Sequence, residues 1–162
     1  MKLMSGTEPD ESAIRELEQG RTHRFEDWQT TPIPRGPTGV YSIWRRQQFL
    51  YVGMSWKEPT GKSSGLWGRM NSHASGRRSG DQFCIYICDR FVLPSLSTKE
   101  IAEVGEGTLR LDELTKRFIR TELTYRYVLT RIGAHSRHIE ERVRRHGLPT
   151  SGLPFLNPVV ST

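Results

Sequence analysis

The stretch GVYSIWRRQQFLYVGM, Gly39 to Met54, sets two short runs rich in β-branched and aromatic residues around a polar centre. That pattern predicts a β-hairpin. With Arg45, Arg46 and Gln47 as the loop, Trp44 faces Gln48 and Ile43 faces Phe49. Tyr41 then falls opposite Tyr51, which puts two phenols side by side on one face of the sheet.

Working outward, residues 1 to 35 read as an extension. It holds a short helix, Ala13 to Glu18, capped by Ser12 and ended by Gly20, followed by the Pro- and Gly-rich lead-in TTPIPRGPTG. After the hairpin, Ser55 to Gly65 is a Gly/Ser/Lys-rich loop, and Leu66 to Ala74 a helix that stops by Gly76. The run QFCIYICDRFVLP reads as a buried strand ended by Pro94. Thr98–Val104 and Leu111–Arg120 read as helices with Ser97 and Thr108 as caps. ELTYRYVLTR alternates as a strand, and a last helix, opening at Ala134 or Ser136, reaches His146 before Gly147. The expectation is an α/β (α+β) domain over residues 36–162, a small mainly antiparallel sheet flanked by helices. Residues 76–121 form an insertion within it.

Composition narrows the class. The chain has 162 residues, enough for one domain with a proper core, and is 35% hydrophobic and 26% charged, as ordinary globular proteins are. No apolar run is long enough to span a bilayer, and Met1 to Asp10 lacks the apolar stretch of a signal peptide, so a cytoplasmic protein is expected. Cys84 and Cys88, four apart on the expected strand, suit buried reduced thiols better than a disulfide; zinc would need more ligands at finger spacing. A net charge of +6 and a pI near 9.7 point to a polyanionic partner. Gly61-Lys62-Ser63 looks like the end of a phosphate-binding loop, but Trp56 stands where that loop needs glycine.

Four groups carry chemistry. The first is the pair Gly39-Val40-Tyr41 and Tyr51-Val52-Gly53. The second is LWGRMNSH, where Arg69 and His73 share one helix face while Leu66 and Met70 share another. An arginine there suits a phosphate, because its planar fork holds two oxygens at once. The third is HIEERVRR, a carboxylate (Glu140 or Glu141) beside an apolar stripe and among arginines, able to hold a hard cation through oxygen. The fourth is PFLNP, with Asn157. Each has an ordinary structural reading: an aromatic cross-strand pair, a surface arginine, exposed salt bridges, a turn asparagine.

Taken together and in this order, from Gly36 to Pro158, the groups resemble the signature of the GIY-YIG nuclease superfamily. The resemblance implies a metal-dependent endonuclease that hydrolyses DNA phosphodiester bonds, with RNA also compatible with the charge. The implied site comprises Tyr41, Tyr51, Arg69, His73, Glu140 and Asn157, with Mg²⁺ or Mn²⁺ on Glu140. Glu140 is favoured over Glu141 by its place between apolar residues. Tyr51 is the implied general base, supported by Tyr41 and His73, with His73 as the competing base. A phenol must have its ordinary pKa of about 10 lowered for that task. Arg45, Arg46, Lys57, Lys62, Arg77 and Arg78 form the expected phosphate-tracking set. Two departures stand out: Met54 occupies a position where many members have lysine, and the 76–121 segment exceeds a minimal core. The alternative is a nucleic-acid-binding module on the same fold without catalysis.

Overall fold

The computed structural model describes residues 8–56 and 64–158. Four antiparallel strands form one sheet in the order β1-β4-β2-β3: β1 (His23–Arg24), β2 (Thr38–Arg45), β3 (Gln48–Ser55) and β4 (Leu123–Thr130). Helices cover both faces, as the mixed α/β reading expected. On one face lie α2 (Gly65–Ser75), α3 (Gln82–Ile87) and α5 (Leu111–Glu122). Leu66, Met70, Phe83, Ile87 and Ile119 pack there against Tyr41, Ile43, Leu50 and Tyr125. On the other, α1 (Glu8–Gln19) and α6 (Gly133–His146) bring Ile14, Leu17, Ile139 and Val143 against Val40, Trp44, Phe49 and Val52. Each such side chain contributes about 1.5–3 kcal/mol when fully withdrawn from water, so the two faces share the work of holding the sheet.

The hairpin forms, but in a different register. Arg45 pairs with Gln48 across a two-residue turn in which Arg46 takes φ 55°, the left-handed region that tight hairpins favour at this point. Trp44 pairs with Phe49, and the ladder then skips Leu50, so that Ile43 meets Tyr51 and Tyr41 meets Gly53. Without this bulge a two-residue turn would send Tyr51 to the opposite face from Tyr41. The extra residue at Leu50 restores the alternation, turning both Leu50 and Tyr51 toward the α2 side while Phe49 faces α6. The phenols share a face as expected, as diagonal rather than direct neighbours.

Three other expectations are corrected. QFCIYICDRFVLP is helical: α3 runs into a wider π turn over Cys88–Val92 and a 3₁₀ turn at Leu93–Ser95. A short apolar run does not by itself separate a buried strand from a buried helix. Asp81 tips the balance, its carboxylate accepting from the Cys84 amide at 3.3 Å as an N-cap. Both cysteines are free and buried, four apart on a helix rather than on a strand. Ser12 lies inside α1, which is already helical at Glu8. Thr108 does not cap α5; it donates to the Glu103 carbonyl and closes the end of α4 (Thr98–Glu106), whose start does carry the Ser97–Glu100 capping box.

Residues 8–35 are woven into both cores. Leu17 packs with α6, Phe25 and Trp28 with Tyr125, and β1 extends the sheet. The 76–121 segment is helical throughout its regular parts and supplies Phe83, Ile87, Leu114 and Ile119 to the core. At the other sheet edge the tail lies along β3, with Phe155 and Leu156 amides donating to the Phe49 and Leu50 carbonyls. This covers an edge that would otherwise present unpaired backbone groups.

Candidate catalytic site

Tyr41 lies in the middle of β2, fully buried, with its ring over Gly53 on the next strand. A Cβ on Gly53 would run into the phenol, coming within 2.5 Å of its Cζ, so a glycine is required opposite this tyrosine. Gly39 has a similar duty: a Cβ there would come within 2.8 Å of Leu66, the residue that seats α2 on the sheet. The two glycines of the hairpin triplets thus make room for one phenol and one helix.

Behind Tyr41 runs a buried chain of hydrogen bonds. Its hydroxyl lies 2.6 Å from His73 Nε2, and His73 Nδ1 lies 2.7 Å from Asp81 Oδ2. Ser72 Oγ donates to that same carboxylate oxygen at 2.8 Å. Asp81 accepts only, so Nδ1 carries the proton, Nε2 is the acceptor, and Tyr41 donates to it. Burial lowers the His73 pKa against the opposing pull of Asp81, which keeps the ring neutral. Burial alone would raise Asp81, but the bonds from His73, Ser72 and the Cys84 amide together hold it below the usual carboxylate range. Tyr41 is raised well above an ordinary phenol, first by burial and then by Tyr51.

Arg69 joins this chain to the surface. It sits one turn before His73 on α2, exposed, and near enough to the Tyr41 phenol to oppose the effect of burial on its pKa. Tyr41 donates inward to His73, with Arg69 as its neighbour on the side of the surface. The Tyr51 ring stands 6.3 Å from that of Tyr41, and the residue retains 8% exposure. Its pKa is raised by burial; Arg69 pulls it down, while Asp81 and Glu140 push it further up.

Glu140 and Glu141 differ sharply. Glu141 pairs with Arg137 at 2.7 Å along the surface of α6, an ordinary i,i+4 bridge. The Glu140 side chain is only 13% exposed, 3.5 Å from Arg144, and near enough to Tyr51 to act on it. Burial raises its pKa despite Arg144. Among the described residues no cluster of three or more His, Cys, Asp or Glu side chains is arranged to hold a metal. A single desolvated carboxylate fits a hard cation that keeps its waters and takes further oxygens from a phosphate, as Mg²⁺ does. Asn157 approaches from the tail. Its Oδ1 accepts from the Val52 amide at 2.8 Å and its Nδ2 donates to the Val52 carbonyl at 2.9 Å, pinning β3 beside Tyr51.

The six expected site residues thus gather around the β2–β3 pair and its flanking helices. Asp81 and Ser72 belong with them and were missed; the one sequence signal was the capping position of Asp81 ahead of QFC. His73 has no exposure and both ring nitrogens are occupied, so it acts through Tyr41 rather than on solvent. Met54 packs with the α1–α6 cluster, on the face away from Tyr41.

The phosphate-tracking set does not survive as one free patch. Arg45 lies against Phe91 and Phe118 and 3.5 Å from Glu122, and Arg78 is bound to Asp112 at 2.7 Å. Arg46, at the hairpin turn, and Arg77, after α2, are exposed. Lys57 and Lys62 lie outside the described residues. Comparison with protein-family models, with curated proteins and with solved structures gave no match.

Proposed function

We propose that this chain is a metal-dependent endonuclease that hydrolyses phosphodiester bonds in DNA, using Tyr51, Arg69 and Glu140. The observation that carries the reading is Arg69: an exposed arginine close to the buried Tyr41–His73–Asp81 chain, and to a nearly buried Tyr51 on which Glu140 also acts. Apart from Asp81, those residues belong to the groups on which the GIY-YIG resemblance rests.

In this reading Arg69 grips non-bridging phosphate oxygens and offsets the charge that develops on them. Tyr41, itself anchored by donating to His73, packs beside that guanidinium. Tyr51, once ionised to its phenolate, takes the proton of the attacking water. Burial and the Asp81 and Glu140 charges oppose that ionisation in the free protein, and Arg69 favours it. Mg²⁺ or Mn²⁺ on Glu140 would supply Lewis-acid stabilisation of the leaving oxygen. Asn157 positions Tyr51 by fixing the Val52 backbone next to it.

The test is nicking of supercoiled plasmid and cutting of branched oligonucleotides with Mg²⁺, Mn²⁺ or EDTA. Cleavage should require metal, vanish in Glu140→Gln and fall by about 10²–10³ in Arg69→Ala, as when one transition-state donor is removed. A metal-dependent cut that persists in both variants overturns the assignment. Salt-sensitive binding without any cut would move the chain to the non-catalytic binding reading.

A further inference from the structure

Beyond the catalytic residues, the molecule carries a polar pocket of about 630 Å³ between the end of α2 and the start of α5. Arg77, Arg110, Lys116 and Arg120 line it together with Asn71 and Ser79. Asp112 and Glu113 also border it, but Asp112 is already bound to Arg78 at 2.7 Å. Four cations therefore face one unengaged carboxylate. Arg120 spends its Nε on the Ala74 carbonyl at 3.0 Å, which leaves the rest of its fork for another acceptor. Asn71 accepts the Trp28 indole N–H at 2.8 Å through Oδ1, so its amide has a donor to offer. Donors and positive charge on one concave surface suit a phosphate group.

The pocket is a built feature rather than a chance gap. α2 ends at Gly76 with φ 71°, and a Cβ there would come within 2.5 Å of the Lys116 backbone. That close approach fixes the two helices that form the pocket walls. The pocket is also near the site. Ser72 and Ser75, on its wall, follow Arg69 by three and six residues on one helix. At 1.5 Å per residue that is about 4.5–9 Å along the axis. One DNA strand advances about 3.4 Å along the duplex axis per phosphate, so that axial offset matches about one to three phosphates of a strand that crosses α2.

We propose that this pocket binds a backbone phosphate of the DNA strand that also places a phosphate at Arg69. The nuclease reading supplies only the identity of the ligand as DNA; the phosphate chemistry comes from the pocket itself. Its role is to set the path of the strand across α2, so it adds affinity without sequence preference.

The experiment measures binding of a labelled duplex in EDTA over a range of salt, so that cleavage plays no part. Wild type is compared with Arg110→Gln/Lys116→Gln and with the charge-matched control Arg15→Gln/Lys99→Gln, all on exposed positions. The pocket variant should bind more weakly on every sequence, and its slope of log K against log salt should be shallower by about 0.9, the value of one phosphate contact. The control should keep the wild-type slope. Equal slopes for the pocket variant and wild type overturn the proposal while leaving a metal-dependent cut, and hence the nuclease reading, untouched. A second arm titrates inorganic phosphate without DNA and follows the arginine and lysine side-chain resonances. Saturable shifts there in a chain that binds no DNA would assign the pocket to a free phosphate and overturn the strand proposal.

Discussion

Acidification should destabilise this protein through one buried ring, His73. Burial lowers its pKa in the fold, with the Asp81 bond opposing and Arg69 assisting. The unfolded chain, with an ordinary value of about 6.5, therefore takes up the proton first as pH falls. Above that value both states are neutral and His73 makes no difference. Below it the unfolded state gains a proton that the folded state refuses, and stability declines until the folded pKa is passed. An imidazole that stays neutral down to pH 5.5 gives up about 1.4 kcal/mol between pH 7.5 and 5.5, one full proton over one pH unit. The assay is urea unfolding at pH 7.5, 6.5 and 5.5 for wild type and His73→Gln. Glutamine can still accept from Tyr41 and donate to Asp81, but does not titrate. Subtracting the two profiles removes the other histidines, including His135 and His138, which face Asp10. The wild-type loss should exceed that of the variant, by up to about 1.4 kcal/mol over this range. Parallel profiles would refute a neutral, buried His73 and with it the hydrogen-bond directions assigned to the chain.

Two further outcomes are expected. Gly53→Ala should cost about 1–3 kcal/mol, the usual range for overpacking, because its Cβ meets the Tyr41 ring head-on; unfolding in urea measures it, and a neutral result would mean that the ring has room to move. Asn157→Ala removes both bonds to the Val52 backbone and should cost about 1–3 kcal/mol, with faster hydrogen exchange at the Val52 amide; unchanged exchange would show that the tail does not hold β3.

How much of this was legible follows from which interactions are local. The hairpin, α2, α6 and the glycine stops at Gly76 and Gly147 announce themselves through period and caps. The bulge at Leu50 does not, because it carries no glycine and the turn residue with positive φ is an arginine. The expected three-residue loop reached the right face for Tyr51 through the wrong pairing: both routes insert one residue, one in the turn and the other in the strand. The α3 error has a different origin. The apolar run is nearly continuous, although only Phe83, Cys84, Ile87 and Cys88 are buried and Ile85 and Tyr86 are half-buried. The sequence therefore hides the helical period, and the Asp81 cap is the local signal that distinguishes helix from strand. The same aspartate was invisible as a site residue because its partner, His73, reaches it across the turn that follows α2. Charge was the least readable quantity. Arg45 and Arg78 count as positive in composition, yet Glu122 and Asp112 already engage them.

The two phenols are alike in sequence and unlike in circumstance. Tyr41 is fully enclosed and its hydroxyl proton is committed to His73. Tyr51 keeps some exposure and stands between Arg69, which favours its phenolate, and Glu140, which opposes it. A proton-transfer role in the proposed reaction therefore falls to Tyr51, and a positioning role to Tyr41. The balance at Tyr51 also ties the proposed chemistry to metal. A carboxylate that raises the phenol while bare stops doing so once a divalent cation offsets its charge. In the proposed reading, a divalent cation held by Glu140 would favour ionisation of Tyr51, so that cation binding and phenolate formation would be coupled.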